Sequence, residues 1–354
     1  MRRKLPRHDS TKSASSAPKI NRTPNEKVEL RKSLVAVLAV LSLALTGCAA
    51  PADYASLKPV CGSATDSSTV DKIQTVGNFG TKPTVTFPAP LSSKTIVSHV
   101  ISAGTGPKFV GNQIIKFNYV ALNASTGKAF SSTKYDGTDA VIQSFGPSQQ
   151  INFCKALAGV PEGSRVSILI PAKMAHGNQG DSTAGLGAND DVIFVMDLMK
   201  VYYPRAIGQI QPQVDGAPTI IRTVSGQPSV QIPGRPAPTK LELFNTITSS
   251  NPQTVSLGDT VTLQYSGFLW KGGTQFDSSW ANAPVQWKLT ETGFIKGFVK
   301  ALTESRNGKA PHVGDEIMAI IPPGDGYGAT AQGAIPANST LVFVIDILGT
   351  ESTK

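Results

Sequence analysis

The chain has 354 residues, 40% of them hydrophobic and 16% charged, which is apolar content enough for about two domains of ~150 residues and too much for wholesale disorder. Its formal charge of +9 suggests a nucleic-acid partner only until the charges are located, because ten Lys/Arg but only three acids fall within residues 1–33. The remainder is close to neutral, which excludes nucleic-acid binding by the folded part, and Gly 33 with Pro 25 favours turn-rich β-structure over a helical bundle.

Residues 34–47 (LVAVLAVLSLALTG) carry no charge and follow the basic stretch that ends at Lys32. The run is shorter than the ~20 residues of a spanning helix, so residues 1–47 read as a secretory signal. Leu45-Thr46-Gly47-Cys48 then resembles the lipobox of bacterial lipoproteins. That resemblance implies acylation of Cys48 and cleavage ahead of it. The mature chain would be extracytoplasmic, lipid-anchored to the outer face of the bacterial cytoplasmic membrane, with two acyl chains giving the hold that one cannot. Residues 48–69, rich in Ala, Ser and Thr, predict a flexible tether. With Cys48 lipidated, Cys61 and Cys154 remain in a compartment where disulfides persist. Two alternatives follow: a Cys61–Cys154 bridge pinning the tether to the first domain, or two buried free thiols.

The rest of the chain repeats itself. KPTVTFPAP (82–90) answers QPSVQIPGRPAP (227–238), IKFNYVALNASTGKAFSS (115–132) answers VTLQYSGFLWKGGTQFDSS (261–279), and DVIFVMDLM (191–199) answers TLVFVIDIL (340–348). The near-constant offset predicts two copies of one domain, 70–204 and 214–350, joined by a linker at 205–213. In the second copy Val261, Leu263 and Tyr265 alternate with Thr262, Gln264 and Ser266, the period of a half-buried strand. IMAII (317–321) and LVFVIDIL (341–348) are further strands. Between them Phe294, Ile295, Phe298 and Leu302 share one face at helical spacing within Glu291–Ser305. Each copy is therefore expected to be α+β, an antiparallel sheet crossed by one short helix.

Several chemistries lack their residues. His8, His99, His176 and His312 have no zinc spacing and the three cysteines no CxxC, so no metal site is expected. No G-x-S-x-G elbow occurs. Gly324-Asp-Gly326-Tyr-Gly328 leads into a strand rather than a helix N-terminus, so it reads as a tight turn and not a phosphate loop.

Four segments of the second copy, VTLQYSGFLWKGGTQFDSS, GFIKGFVKAL, VGDEIMAIIPPGDGYGA and GAIPANSTLVFVIDIL, taken in order and spacing, resemble the FKBP-type peptidyl-prolyl cis-trans isomerases over roughly residues 255–350. The first copy carries a worn version of the pattern. The resemblance implies two tandem FKBP-like domains, each a curved antiparallel sheet with its helix across it. The implied activity is rotation about X–Pro amides, whose barrier is ~18–20 kcal/mol; no bond breaks, so no cofactor is expected. The implied lining is Tyr265, Phe276, Phe298 and Phe343, with Phe294, Ile295 and Ile335 completing the apolar walls. Phe298 stands where family members commonly have tryptophan. Asp277 matches the carboxylate at the pocket edge, Tyr327 the hydroxyl donor to a substrate carbonyl, and the Ile295 amide a second donor. Each aromatic taken singly is equally a core residue, and Asp277 is equally a turn cap; polar partners in loops framed by Gly and Pro favour function for Phe276 and Tyr327. In the first copy Ser131 replaces the acid, His176 falls at the position of Tyr327 as an expected surface-loop residue, and Gln150 or Ile151 falls at Ile295. His312 is expected to be exposed. The implied partners are proline-containing exported polypeptides, macrolide ligands of the family's class, and the membrane through the lipid. A non-enzymatic chaperone or assembly adaptor that grips proline segments is the competing expectation.

Overall fold

A computed structural model describes residues 57–64, 68–147 and 151–352; the expected signal segment 1–47, the lipidation site Cys48 and Gln150 lie outside the described residues. After a turn of 3-10 helix at Val70–Lys72, β1 (Gln74–Val76) and β2 (Thr84–Thr86) form a hairpin. β3 (Val97–Ser102), β4 (Gln113–Asn123), β5 (Ala129–Ser132), β6 (Val141–Phe145), α1 (Phe153–Leu157), β7 (Arg165–Ile170), α2 (Ala172–Ala175) and β8 (Val192–Val201) follow. Their sheet runs β3-β7-β8-β4-β5, with β6 also paired to β4.

The second half repeats this arrangement. β9 (Gln209–Ile210) precedes the hairpin of β10 (Thr219–Arg222) and β11 (Pro228–Gln231). Then come β12 (Glu242–Thr248), β13 (Thr260–Leu269), β14 (Gln275–Ser278), β15 (Val285–Lys288), α3 (Lys296–Glu304), β16 (Glu316–Ile321) and β17 (Leu341–Glu351). The order is β14-β13-β17-β16-β12-β9, with β15 also paired to β13. All pairings are antiparallel and a helix accompanies them, the α+β class expected from the strand and helix periodicities.

Each sheet buries both faces. Odd-numbered residues of β16 and β17 (Ile317, Ala319, Ile321, Phe343, Ile345) pack with Phe298, Ala301 and Leu302 of α3. Even-numbered ones (Met318, Ile320, Val342, Val344) pack with Val230 and Ile220 of the β10–β11 hairpin. That double cover explains why β17 reads as an almost continuous apolar run rather than an alternating one. It also corrects the half-buried expectation for β13. Thr262, Gln264 and Ser266 are buried because hydrogen-bonding side chains cover them: Gln286 Nε2 donates to Thr262 Oγ1 (3.0 Å), Ser279 donates to Gln264, and Ser278 lies 3.0 Å from Ser266.

The expected helix Glu291–Ser305 is shorter, Lys296–Glu304. Ile295 is extended (ψ 145°), and Thr290, Thr292 and Gly293 are poor helix formers, so this segment forms a turn. Part of the expected tether is docked rather than free: the Val60 amide donates to Val110 (2.8 Å) and the Ala64 amide to Lys155 (2.9 Å), while Cys61 and Cys154 form a disulfide with Cα atoms 5.8 Å apart. The expected linker is likewise folded in. The Ile207 amide donates to Gly314 (2.9 Å) and β9 pairs with the edge of β12, satisfying backbone groups an open edge leaves unpaired.

Two histidines also differ from expectation. His312 is half-buried because its amide is drawn onto the buried Asp315 carboxylate (2.8 Å). His176 is half-buried too. Its Nδ1 accepts from the Gly180 amide (3.0 Å) and its Nε2 faces the Asp190 carbonyl (2.9 Å), so it staples its own loop.

The two sheets meet through Tyr202, which is fully buried. Its hydroxyl donates to Glu351, Lys116 pairs with the same carboxylate (2.9 Å), and Lys200 donates to the Thr350 carbonyl (2.8 Å). The Tyr202 ring lies against Gly349, where any Cβ would overlap it.

Candidate active site

Strands β13, β14, β15 and β17, the start of α3 and two turns enclose a cavity of about 620 Å³. β13 contributes Tyr265, β14 Phe276 and Asp277, β15 Trp287, and β17 Phe343. The turn before α3 contributes Phe294 and Ile295, α3 itself Phe298, and the turns after β16 Tyr327 and Ile335. All nine residues expected at the site line this one cavity.

The lining is an aromatic lattice. Phe343 is packed edge-on by Phe276 (5.5 Å, 81°) and by Phe298 (5.3 Å, 79°), and Phe294 stacks on Phe298 (5.5 Å, 25°). Edge-to-face pairs of this kind add ~0.5–1.5 kcal/mol each beyond burial. Tyr265, Phe298, Ile335 and Phe343 are buried, so they are core and cavity wall at once. Gly267 makes room for Phe276: a Cβ there would come within 2.5 Å of the ring. Phe276 and Asp277 stand on β14, not in a loop as expected, and its pleat alternates Phe276 inward with Asp277 at the rim.

Two polar groups edge the cavity. The Tyr265 hydroxyl donates to Asp277 Oδ2 (2.6 Å), while Asp277 Oδ1 accepts from the Ser278 amide (2.8 Å). Asp277 therefore holds the phenol and its own neighbouring amide, while the turn that follows is bonded by Ser278 Oγ, which accepts from the Trp280 amide (3.3 Å). Burial first, then the neighbouring Asp277, push the Tyr265 hydroxyl well above the ordinary tyrosine range, so Tyr265 stays a proton donor. Tyr327 is 37% exposed, its hydroxyl free of hydrogen bonds among the described residues. The Ile295 amide sits ahead of the first helical turn, where N–H groups lack intrahelical partners. Two donors thus border an apolar chamber, an arrangement suited to gripping a carbonyl while an amide loses planarity.

Sequence reasoning missed Trp287. Its ring lies 5.3 Å from Tyr265 and 6.2 Å from Phe298, supplying an indole beside the floor that Phe298 fills with a smaller ring. The signal was the alternation in VQWK (285–288), which places Val285 and Trp287 on the core side.

The first sheet arranges its counterparts differently. The Tyr119 hydroxyl meets Ser131 Oγ at 2.9 Å where Tyr265 meets Asp277. Phe153 packs on Phe194 (5.2 Å, 88°) and on Phe145 (5.2 Å, 44°), with Ile151 and Tyr119 alongside. His176 has both ring nitrogens engaged within its loop.

Known proteins resemble this chain. Residues 251–348 match the FKBP-type peptidyl-prolyl cis-trans isomerase family. FK506-binding protein 2 of Aspergillus oryzae is 35% identical over 98 residues, which are 27% of this chain and 69% of that protein. An FK506-binding protein of Streptomyces anulatus is 31% identical over 121 residues, 34% of this chain and 97% of that one. The solved structure of the three FKBP domains of wheat FKBP73 aligns with 73% of this chain and 95% of that one at 18% identity, with a TM-score of 0.31. The chain belongs to the FKBP-type peptidyl-prolyl cis-trans isomerases and is an enzyme of that class.

Proposed function

We propose that the cavity of the second sheet carries the isomerase activity and serves the folding of exported, proline-containing polypeptides at the outer face of the membrane. The observation that carries this reading is the Tyr265–Asp277 pair at the rim of the chamber that Tyr327, Phe276, Phe298 and Phe343 line. The planar amide owes its stiffness to charge separation. Removing it from water into an aromatic lining disfavours that planar form relative to the twisted one. The Tyr327 hydroxyl and Ile295 amide then hold the carbonyl while the C–N bond turns, and Asp277 fixes Tyr265 as part of the wall. Such a service matters for newly exported chains because uncatalysed X–Pro isomerisation takes tens to hundreds of seconds.

We read the two sheets as tandem FKBP-like domains, a reading that their common strand order supports. Ser131 in place of the acid favours a scaffolding or peptide-gripping role for the first. The Cys61–Cys154 bridge supports an oxidising compartment, in keeping with a lipid on Cys48.

The test is proline-limited refolding of a reporter protein by the full chain. Asp277→Val and Tyr327→Phe are each expected to lower kcat/KM by about tenfold, roughly 1.4 kcal/mol, and Ser131→Ala to leave it unchanged. A macrolide of the family's class should abolish the acceleration. Full activity in both cavity variants would move the reaction elsewhere. Mass spectrometry of the mature N-terminus checks the anchor, which an unmodified chain beginning upstream of Cys48 would rule out.

A further inference from the structure

A second cavity of about 620 Å³ lies where the two sheets meet, lined by the 57–60 strap, turns of the first sheet, Pro204 and Arg205, the tip of the β10–β11 hairpin, and the turn after β14. It shares a wall with the active cavity. Gln264 and Tyr265 are consecutive on β13, so the pleat sends them to opposite faces; Tyr265 lines the active cavity and Gln264 this cleft. The segment that gives Asp277 to the first gives Trp280 and Asn282 to the second. A chain leaving the active rim at Asp277 and passing over that turn enters the cleft.

The cleft's chemistry is one-sided. Its charged lining residues are Lys58 and Arg205, with no acid among them. Arg205 spends one N–H on the Val224 carbonyl (2.9 Å), and neither cation meets a carboxylate among the described residues. Gln264 and Asn282 add amides, and the Trp280 indole N–H in the same wall has no acceptor among the described residues. Val224, 97% exposed, offers an apolar contact at the mouth. Cations, amide groups and an isolated apolar tip suit an extended polypeptide with acidic side chains.

We propose that this cleft is a second binding site for the client chain, taking an extended acidic segment adjacent to the prolyl bond held in the active cavity. The link to the prolyl bond rests on the isomerase reading above; the affinity for an acidic segment does not.

The probe is a fluorescein-labelled eight-residue peptide of Glu, Leu, Ser and Gly without proline, titrated against the full chain, with a counterpart carrying Lys in place of Glu. The acidic peptide is expected to bind at least tenfold more tightly and to weaken with added salt. Lys58→Glu and Val224→Asp change exposed positions, so folding is preserved, and each is expected to weaken binding at least fivefold. Both variants should leave isomerisation of a prolyl tetrapeptide unchanged while raising KM for an acidic protein client. Equal binding of the two peptides, or unchanged affinity in either variant, overturns the proposal. The tetrapeptide assay reads the active cavity alone, so its failure with the unmutated chain overturns the isomerase reading and leaves the titration to judge the cleft, whereas its loss in the two cleft variants overturns the assignment of separate sites.

Discussion

The phenol of Tyr265 and the carboxylate of Asp277 are twelve residues apart in sequence and 2.6 Å apart in space. Replacing Tyr265 with Phe keeps the ring and removes the hydrogen bond. The expected result is a loss of about 1 kcal/mol of stability and a several-fold drop in kcat/KM, because Asp277 loses the partner that fixes it; unchanged turnover would mean that the bond serves packing only. At this scale most of the site was legible. Asp277 directly after Phe276, and Tyr327 between two glycines, stand out because they fall in register with the other segments of the pattern; each taken alone reads equally as core or turn. Trp287 was not read, because β15 is a four-residue strand beside β13 and its alternation is too short to stand out without that pairing. The docking of His312 was equally hidden, since it depends on Asp315 collecting hydrogen bonds from the Ser249 amide (2.6 Å) and the His312 amide (2.8 Å).

Strand pairs show how one position is solved twice. On the first sheet Arg165 faces Asp197 in register, a buried bidentate pair with contacts of 2.6 and 2.8 Å. On the second, Glu316 faces Asp346, two acids side by side, and the cation comes from β10 as Arg222. Arg222 is committed to Glu316; Asp346 accepts from the Ala206 amide (2.7 Å) and, when protonated, donates to the Glu316 carboxylate. Burial first, and then the Glu316 charge, hold the Asp346 carboxyl well above the usual carboxylate range. The folded state thus keeps a proton that the unfolded chain releases. The stability this contributes is full below the ordinary carboxylate pKa and drains as pH climbs through the raised value. Asp346→Asn, which keeps an acceptor for the Ala206 amide, is expected to match the parent protein near pH 4 and to surpass it increasingly toward about pH 8 in thermal unfolding. Parallel curves would contradict this assignment. None of this was visible in sequence, where Asp346 reads as one polar residue in an apolar run.

Across the molecule, the repeat, the α+β class and, as one of two alternatives, the Cys61–Cys154 bridge could be read directly, whereas the joints between the two sheets could not. Long-range joining depends on few residues: Tyr202 against Gly349, the Glu351 cluster, and the bridge between Cys61 and Cys154, 93 residues apart. Cross-linking a loop of that length disfavours the unfolded chain by about 4–5 kcal/mol in the entropic account. Reduction, or Cys61→Ala, is therefore expected to lower the unfolding midpoint by about 10 °C; an unaltered midpoint would show that the strap contributes nothing to the first sheet.

The same bridge shortens the leash. With a lipid on Cys48, the leash would end at the docked residues Val60 and Cys61 rather than near residue 69, and so few links of backbone, even fully extended, reach at most about 45 Å. The enzyme would then patrol a layer close to the bilayer, meeting polypeptides soon after they emerge. A tug on the leash would load the α1 side of the first sheet, sparing the aromatic chamber that does the turning.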